Sequence, residues 1–391
     1  MRYNFDKVID RSGTSAEKVE GLKHIWGRTD LIPLWLADMD FATAPFVTDA
    51  IRKRCENEVL GYTGKPDSYY NAIINWVKQR YDLVVAKEMI NFVPGIVPGI
   101  GMAMNCFTQK GDKVMIQPPV YHPFAWVTTR NERTLVTNPL KWENGMYRMD
   151  LDAFRELIKG CKLFILCNPH NPGGVVWTEA ELRAIADICY DEKVLVFSDE
   201  IHADLTLPPH THRPFATVSE KARMNSVTFM SPSKAFNMPG LSASHALIFN
   251  EDLRKRFRIY MDAGELDMGH VFAFLSVEAA YSHGTEWLDQ CLAYIQGNID
   301  FVDDFLKNHA PKIKAIRPEA SYLVWLDCRE LKLSQKDLNE FFVDKAHLAL
   351  NDGEMFGKEG IGFMRLNVAS PRCIIEKAMK QLADAYQLYI K

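Results

Sequence analysis

Four short apolar runs, each closed by a turn rich in proline, asparagine, serine or aspartate, limit what this chain can fold into. Lys113-Val114-Met115-Ile116 leads into Gln117-Pro118-Pro119-Val120-Tyr121. Leu163-Phe164-Ile165-Leu166 leads into Cys167-Asn168-Pro169-His170-Asn171-Pro172-Gly173-Gly174. Val194-Leu195-Val196-Phe197 ends in Ser198-Asp199-Glu200, and Val227-Thr228-Phe229-Met230 runs into Ser231-Pro232-Ser233-Lys234. Continuous apolar runs of this length read as strands buried on both faces. Helical patterns separate them, as over Thr178 to Tyr190, where Thr178 reads as an N-cap and Glu181 completes a capping box. The alternation implies an α/β fold with a mostly parallel sheet covered on both faces. Ligands of such sheets bind at the carboxyl ends of the strands. Every unusual polar cluster of this chain lies at such an end.

The 391 residues suffice for a large domain, expected over 45–287, and a smaller α+β domain built from 1–44 and 288–391. The second begins with a long amphipathic helix pattern from about Leu288. Two strand-like segments follow it, Ala320 to Leu326 and Gly362 to Val368. Against 50 acidic residues stand 46 lysines and arginines, a net charge of −4 that argues against nucleic acid or an anionic membrane as main partner. The start of the chain is too polar for a signal peptide, and no apolar run approaches a membrane span. The eight cysteines form no Cys-x-x-Cys pair and read as reduced thiols of a cytoplasmic protein. No cluster has metal-ligand spacing. His210 and His212, in a loop with Pro208, Pro209 and Pro214, read as solvated loop residues.

The strand-end residues carry the chemistry. Lys234, between hydroxyls at the end of a buried strand, is placed to form an imine, which requires an amine that is neutral part of the time. Ser231 and Ser233 are candidate phosphate donors, as are the backbone amides of Ile96 and Val97 if a helix begins after Pro94-Gly95. Gly95, Gly99 and Gly101 serve close packing equally well. Asp199 can pair with a pyridine nitrogen, although an N-cap is a common role for such an aspartate. Asn171, set between prolines, can bond a ring hydroxyl or simply close an Asx-turn. Tyr121 can stack on an aromatic ligand and reach its reacting atoms, or be a core tyrosine. Arg365 suits a carboxylate held by two bonds; spacing alone does not separate this from a surface ion pair. An imine-forming amine, a phosphate grip and a strand-end carboxylate are what pyridoxal 5'-phosphate requires.

With these residues the chain resembles fold-type I pyridoxal phosphate enzymes of the class I/II aminotransferase superfamily, over essentially its whole length. Within it the chain is most similar to the C–S lyase branch of MalY/PatB-type cystathionine β-lyases. The branch signals are Tyr3-Asn4-Phe5-Asp6, Leu34-Trp35-Leu36-Ala37-Asp38-Met39-Asp40-Phe41, Gly61-Tyr62, Pro119-Val120-Tyr121-His122-Pro123-Phe124, Asn168-Pro169-His170-Asn171-Pro172 and Ser198-Asp199-Glu200-Ile201-His202-Ala203-Asp204-Leu205. The resemblance implies Lys234 as the cofactor-bound lysine, Asp199 at the ring nitrogen, Asn171 at the 3-hydroxyl and Tyr121 against the ring. It implies that Arg365, Asn171 and the backbone near Ala37 hold the substrate α-carboxylate. It further implies a homodimer with shared active sites, in which Tyr62 reaches the neighbouring subunit's phosphate. Three positions depart from the wider superfamily. Ser242 stands where many relatives place a phosphate-binding arginine. His202, counted here with the cofactor-binding residues, replaces a frequent tyrosine but is shared by the C–S lyase branch. Val175 replaces a frequent arginine.

The activity so implied is release of a thiol, pyruvate and ammonia from cystathionine or a related cysteine S-conjugate. The alternative is an aminotransferase acting on an L-amino acid and a 2-oxo acid with the same residues. A DNA-binding regulator on this fold would need a basic helix-turn-helix segment, and the sequence contains none.

Overall fold

The apolar runs become neighbouring strands of one sheet in the computed structural model, which describes residues 3–389. The sheet has seven strands: β1 (Ile90–Val93), β2 (Lys113–Ile116), β3 (Thr134–Thr137), β4 (Cys161–Cys167), β5 (Leu195–Asp199), β6 (Ser226–Met230) and β7 (Ser244–Leu247). They lie in the order β1-β7-β6-β5-β4-β2-β3. All pairs are parallel except those of β7, which runs antiparallel to both β1 and β6. Strands β5, β6 and β7 are buried at every residue, as expected of strands covered on both faces.

The register brings the chemistry together. Cys167 and Asp199 are Cα partners at the ends of β4 and β5, and Asp199 is also paired with Phe229 near the end of β6. The helix Glu179–Asp191 returns the chain between β4 and β5. Thr178 Oγ1 accepts the Glu181 N–H at 3.2 Å while Glu181 Oε2 accepts the Thr178 N–H at 2.9 Å, the reciprocal cap expected of this sequence. The helix Ile96–Phe107 starts immediately after Gly95, and its first residues line the same cavity as Asp199 at the carboxyl end of the sheet. Gly99 permits the helix to approach the sheet: a Cβ there would come within 2.9 Å of Val93 Cγ2 and 3.2 Å of Phe229.

A second sheet is antiparallel, with strands β8 (Lys314–Ile316), β9 (Leu323–Asp327), β10 (Asn351–Asp352) and β11 (Phe363–Asn367) in the order β8-β9-β11-β10. Arg365 is the Cα partner of Trp325 on one side and Asn351 on the other, so all three side chains share a face. The 25-residue helix Thr285–His309 precedes this sheet, and the helix Arg372–Tyr389 packs against that helix. The beginning of the chain joins the same region. Ile32–Pro33 pairs in parallel with Leu348–Ala349, and the Phe5 ring meets Phe41, Trp287 and Tyr294. No described helix is long and apolar enough to cross a membrane.

Candidate active site

A cavity of about 210 Å³ opens at the carboxyl end of the seven-stranded sheet. Its wall includes Ala37, Ile96, Val97, Tyr121, Asn171, Asp199, His202, Ser233 and Lys234. Nine of the residues singled out from sequence therefore meet in one place, from six separate segments of the chain.

Lys234 follows β6 in a tight turn and donates from Nζ to the carbonyl of Ala37 at 2.5 Å. Burial lowers its pKa to about 8, with Arg365 pushing the same way and Asp38 and Asp199 opposing. An amine so held is neutral often enough to be a nucleophile and a base. Asp199, at the tip of β5, is pushed up to about 7 by burial and by the neighbouring Glu200. A ring cation beside it would reverse that shift. Asn171 accepts from Arg365 Nη1 at 3.0 Å through its amide oxygen, leaving the NH2 end to the cavity. Its own N–H points to Cys167 Sγ at 3.4 Å.

Arg365 is not a surface residue. It is buried, and its guanidinium bonds Asn171, Asn351 and the carbonyl of Trp35, stacking over Phe356 at 4.8 Å. No carboxylate pairs with it among the described residues, and its Nε has no partner. Burial lowers its pKa to about 10. A buried guanidinium supported only by neutral groups is a receptor for an anion.

Tyr121 backs the cavity, packed edge-on against Phe124 at 5.7 Å, and burial raises its hydroxyl. His202 is buried with Nδ1 unpartnered, and burial lowers it to about 3, so it is a neutral imidazole at ordinary pH. At the other end, the amides of Ile96 and Val97 meet Ser233, Ser242 and Ser244. Ser242 lines the cavity from a left-handed turn with φ +47°.

Two placements correct the sequence reading. Ser231 does not line the cavity. Its Oγ donates to Ala243 O at 2.7 Å and accepts the Ser233 N–H at 3.1 Å, tying the lysine turn to the start of β7. His212 is not solvated. The proline-rich loop folds back over β5, and the buried ring sets Nε2 2.8 Å from Glu200 Oε2. That carboxylate also accepts from Ser198 Oγ and the Phe215 N–H, so the loop supplies partners for a charge that would otherwise be buried alone. His210 stays at the surface, 3.7 Å from Glu319 Oε1. Tyr62 is 97% exposed and away from its own chain's cavity.

Sequence reading missed Asn351, whose amide fixes Arg365, and Tyr322, whose hydroxyl donates to Ala37 O at 2.9 Å. Asn351 carries no motif, and only the pairing of β10 with β11 exposes its role. Tyr322 lies in a segment noticed for its apolar pattern alone.

The groups present fit pyridoxal phosphate: an amine at mid-cavity, an acid for a ring nitrogen, an amide NH2 for a ring oxygen and helix N-terminal amides for a phosphate. Comparison with known proteins decides the matter. The model of the family described as aminotransferase class I and II matches residues 29–382. The chain is 38% identical to cystathionine beta-lyase PatB of Bacillus subtilis over 98% of this chain and 99% of that one. It is 31% identical to protein MalY of Escherichia coli over 98% of both. The chain belongs to the class I and II aminotransferase family. Within that family it falls in the MalY/PatB branch. The crystal structure of cystalysin from Treponema denticola, which contains a pyridoxal 5'-phosphate cofactor, superposes with a TM-score of 0.96 at 34% identity, each chain covered fully. The pyridoxal phosphate-bound C–S lyase from Staphylococcus hominis gives 0.91 at 35% identity, covering 99% of this chain and 98% of that one. As an aminotransferase-family enzyme of this branch, the chain uses pyridoxal 5'-phosphate, and Lys234, Asp199 and Asn171 line the cavity whose groups fit it.

Proposed function

We propose that the chain is a C–S β-lyase that releases a thiol, pyruvate and ammonia from cystathionine or a related cysteine S-conjugate. The observation that carries this reading is the presence in one site of a Lys234 amine whose pKa burial lowers to about 8 and, bonded to the cavity-lining Asn171, the guanidinium of Arg365, which no described carboxylate pairs with. The first would act on a substrate Cα while the second grips the α-carboxylate. The names borne by PatB and the staphylococcal C–S lyase support the choice of bond.

Pyridoxal phosphate, when bound, supplies an electron sink for the carbanion at Cα. The chain does the rest. Arg365 and Asn171 fix the carboxylate, and the Ala37 carbonyl steers the Lys234 amine. Lys234 removes the Cα proton. The Cβ–S bond breaks, and a thiol whose pKa is about 8.5 is a tolerable leaving group. Lys234 or Tyr121 returns a proton to sulfur. The aminoacrylate released hydrolyses to pyruvate and ammonia. The reading also takes the enzyme to be a cytoplasmic homodimer in which Tyr62 completes the neighbour's phosphate site.

The test is incubation of the purified holoenzyme with cystathionine and with cysteine, measuring pyruvate and free thiol. Equal amounts of both products are expected, and Lys234→Ala should abolish them, since a methyl group neither forms the imine nor moves a proton. Turnover that yields no pyruvate and requires a 2-oxo acid acceptor would make the enzyme an aminotransferase instead.

A further inference from the structure

The segment Ala37-Asp38-Met39-Asp40-Phe41 marks the branch in the sequence, yet only the backbone of Ala37 enters the site described above. Its two aspartates meet two cations from the first eighteen residues. Lys18 has 0% exposure and lies 2.9 Å from Asp40 Oδ2, 3.2 Å from the Asp38 carbonyl and 3.6 Å from Asp38 Oδ1. Arg11 reaches Asp38 Oδ2 at 2.6 Å and Asp40 Oδ1 at 3.3 Å. The cluster is neutral as a whole and largely enclosed.

The same segment clasps the lysine turn. Asn237, three residues beyond Lys234, accepts the Met39 N–H at 2.9 Å and donates to the carbonyls of Met39 and Phe41 at 3.0 and 2.7 Å. Thr43 Oγ1 donates to the Asn237 carbonyl at 2.7 Å. Asn367 Nδ2 holds the carbonyls of Leu36 and Asp38, both at 2.7 Å. The Ala37 carbonyl, at the centre of this brace, receives the Lys234 ammonium.

We propose that Asp38, held by Arg11 and Lys18, is a positioning residue that fixes the Ala37 carbonyl on the Lys234 amine. The inference rests on the reading of Lys234 as the imine-forming lysine. The groups facing the amine are Asp38 and Asp199 of negative sign, Arg365 of positive sign, and the neutral Tyr121, His202 and Tyr322. Asp38 is the largest influence favouring the charged amine. Asp40 pairs with the same two cations but has no such reach, which makes it the natural control.

The test is reductive methylation of the full chain freed of cofactor, with formaldehyde and cyanoborohydride at graded pH, reading methylation of Lys234 by mass spectrometry. The reagent takes only the neutral amine. Asp38→Asn should move the half-point down by roughly one pH unit, the usual size for loss of a nearby opposite charge. Asp40→Asn should move it clearly less. Arg11→Gln removes the cation that offsets Asp38, and its half-point should move up. Arg11 is partly exposed, so this variant keeps the test open if Asp38→Asn does not fold. Shifts of Asp38→Asn and Arg11→Gln in the same direction, no shift in either, or an equal shift in Asp40→Asn would overturn the proposal. A parallel borohydride reduction of wild-type holoenzyme separates the two readings. A pyridoxyl label on Lys234 with unmoved half-points removes this inference alone, whereas a label elsewhere removes the lysine assignment beneath it.

Discussion

Asp199 shows how a single residue can be stable only in company. Its carboxyl is pushed up to about 7 in the folded chain from the usual 3.8, because burial disfavours the anion. Between those two values the folded state keeps a proton that the unfolded chain has released. Stability of the cofactor-free protein must therefore fall as pH rises from about 4 to about 7 through this group. Asp199→Asn carries no such proton. Urea midpoints of the two cofactor-free proteins should diverge across that window, the variant gaining on wild type as pH rises. With pyridoxal phosphate bound, a ring cation favours the anion, and the gain should disappear. Parallel midpoints throughout would mean that the carboxyl is not desolvated. This residue, like Lys234 and Asn171, was legible in the sequence because a special polar group follows an unbroken apolar run. His212 was not legible. Its partner Glu200 lies twelve positions upstream, and a proline-rich loop gives no sign that it folds back over a strand.

At the scale of elements, the four apolar runs and the Thr178 cap followed from pattern and cap chemistry, while a helix after Gly95 was only a condition of the phosphate reading. β1 and β7 did not follow from pattern. β7 reverses direction inside a parallel sheet, and that depends on a short connection after the lysine turn that places Ser244–Leu247 between β1 and β6. Nothing in the period of a buried strand encodes its direction. The same close packing makes a prediction about the phosphate end. Gly99→Ala should destabilise the protein by about 1–3 kcal/mol, because the added methyl meets Val93 and Phe229 within a tightly packed helix–sheet contact. Since the helix N-terminus must then move outward, pyridoxal phosphate affinity should weaken as well, while Gly101→Ala, which meets Val127 only at 3.3 Å, should cost less in both. Thermal denaturation and equilibrium dialysis would report the two effects, and equal losses in both variants would refute the packing argument.

For the whole molecule, the question is whether one chain makes a complete site. Tyr62 lies in an irregular stretch with Val59 and Leu60, all strongly exposed and none near the cavity of their own chain. Exposed apolar groups in a row mark a surface that a second copy can cover. If Tyr62 serves the neighbour, Lys234→Ala and Tyr62→Ala damage the same site from different chains. A dimer of one chain of each kind then holds one site with both defects and one with neither. Lys234→Ala alone should be inactive. Tyr62→Ala alone should bind pyridoxal phosphate weakly and be nearly inactive when the cofactor is limiting. Unfolding and refolding the two together at equal amounts should restore about a quarter of wild-type activity under that limit, since half the dimers are mixed and each has one intact site. Activity no greater than the average of the two separate proteins would place Tyr62 outside the neighbour's site. Recovery of the predicted fraction requires that the chains exchange and that the tyrosine acts across the interface, because a residue serving its own chain would leave both sites of every mixed dimer defective.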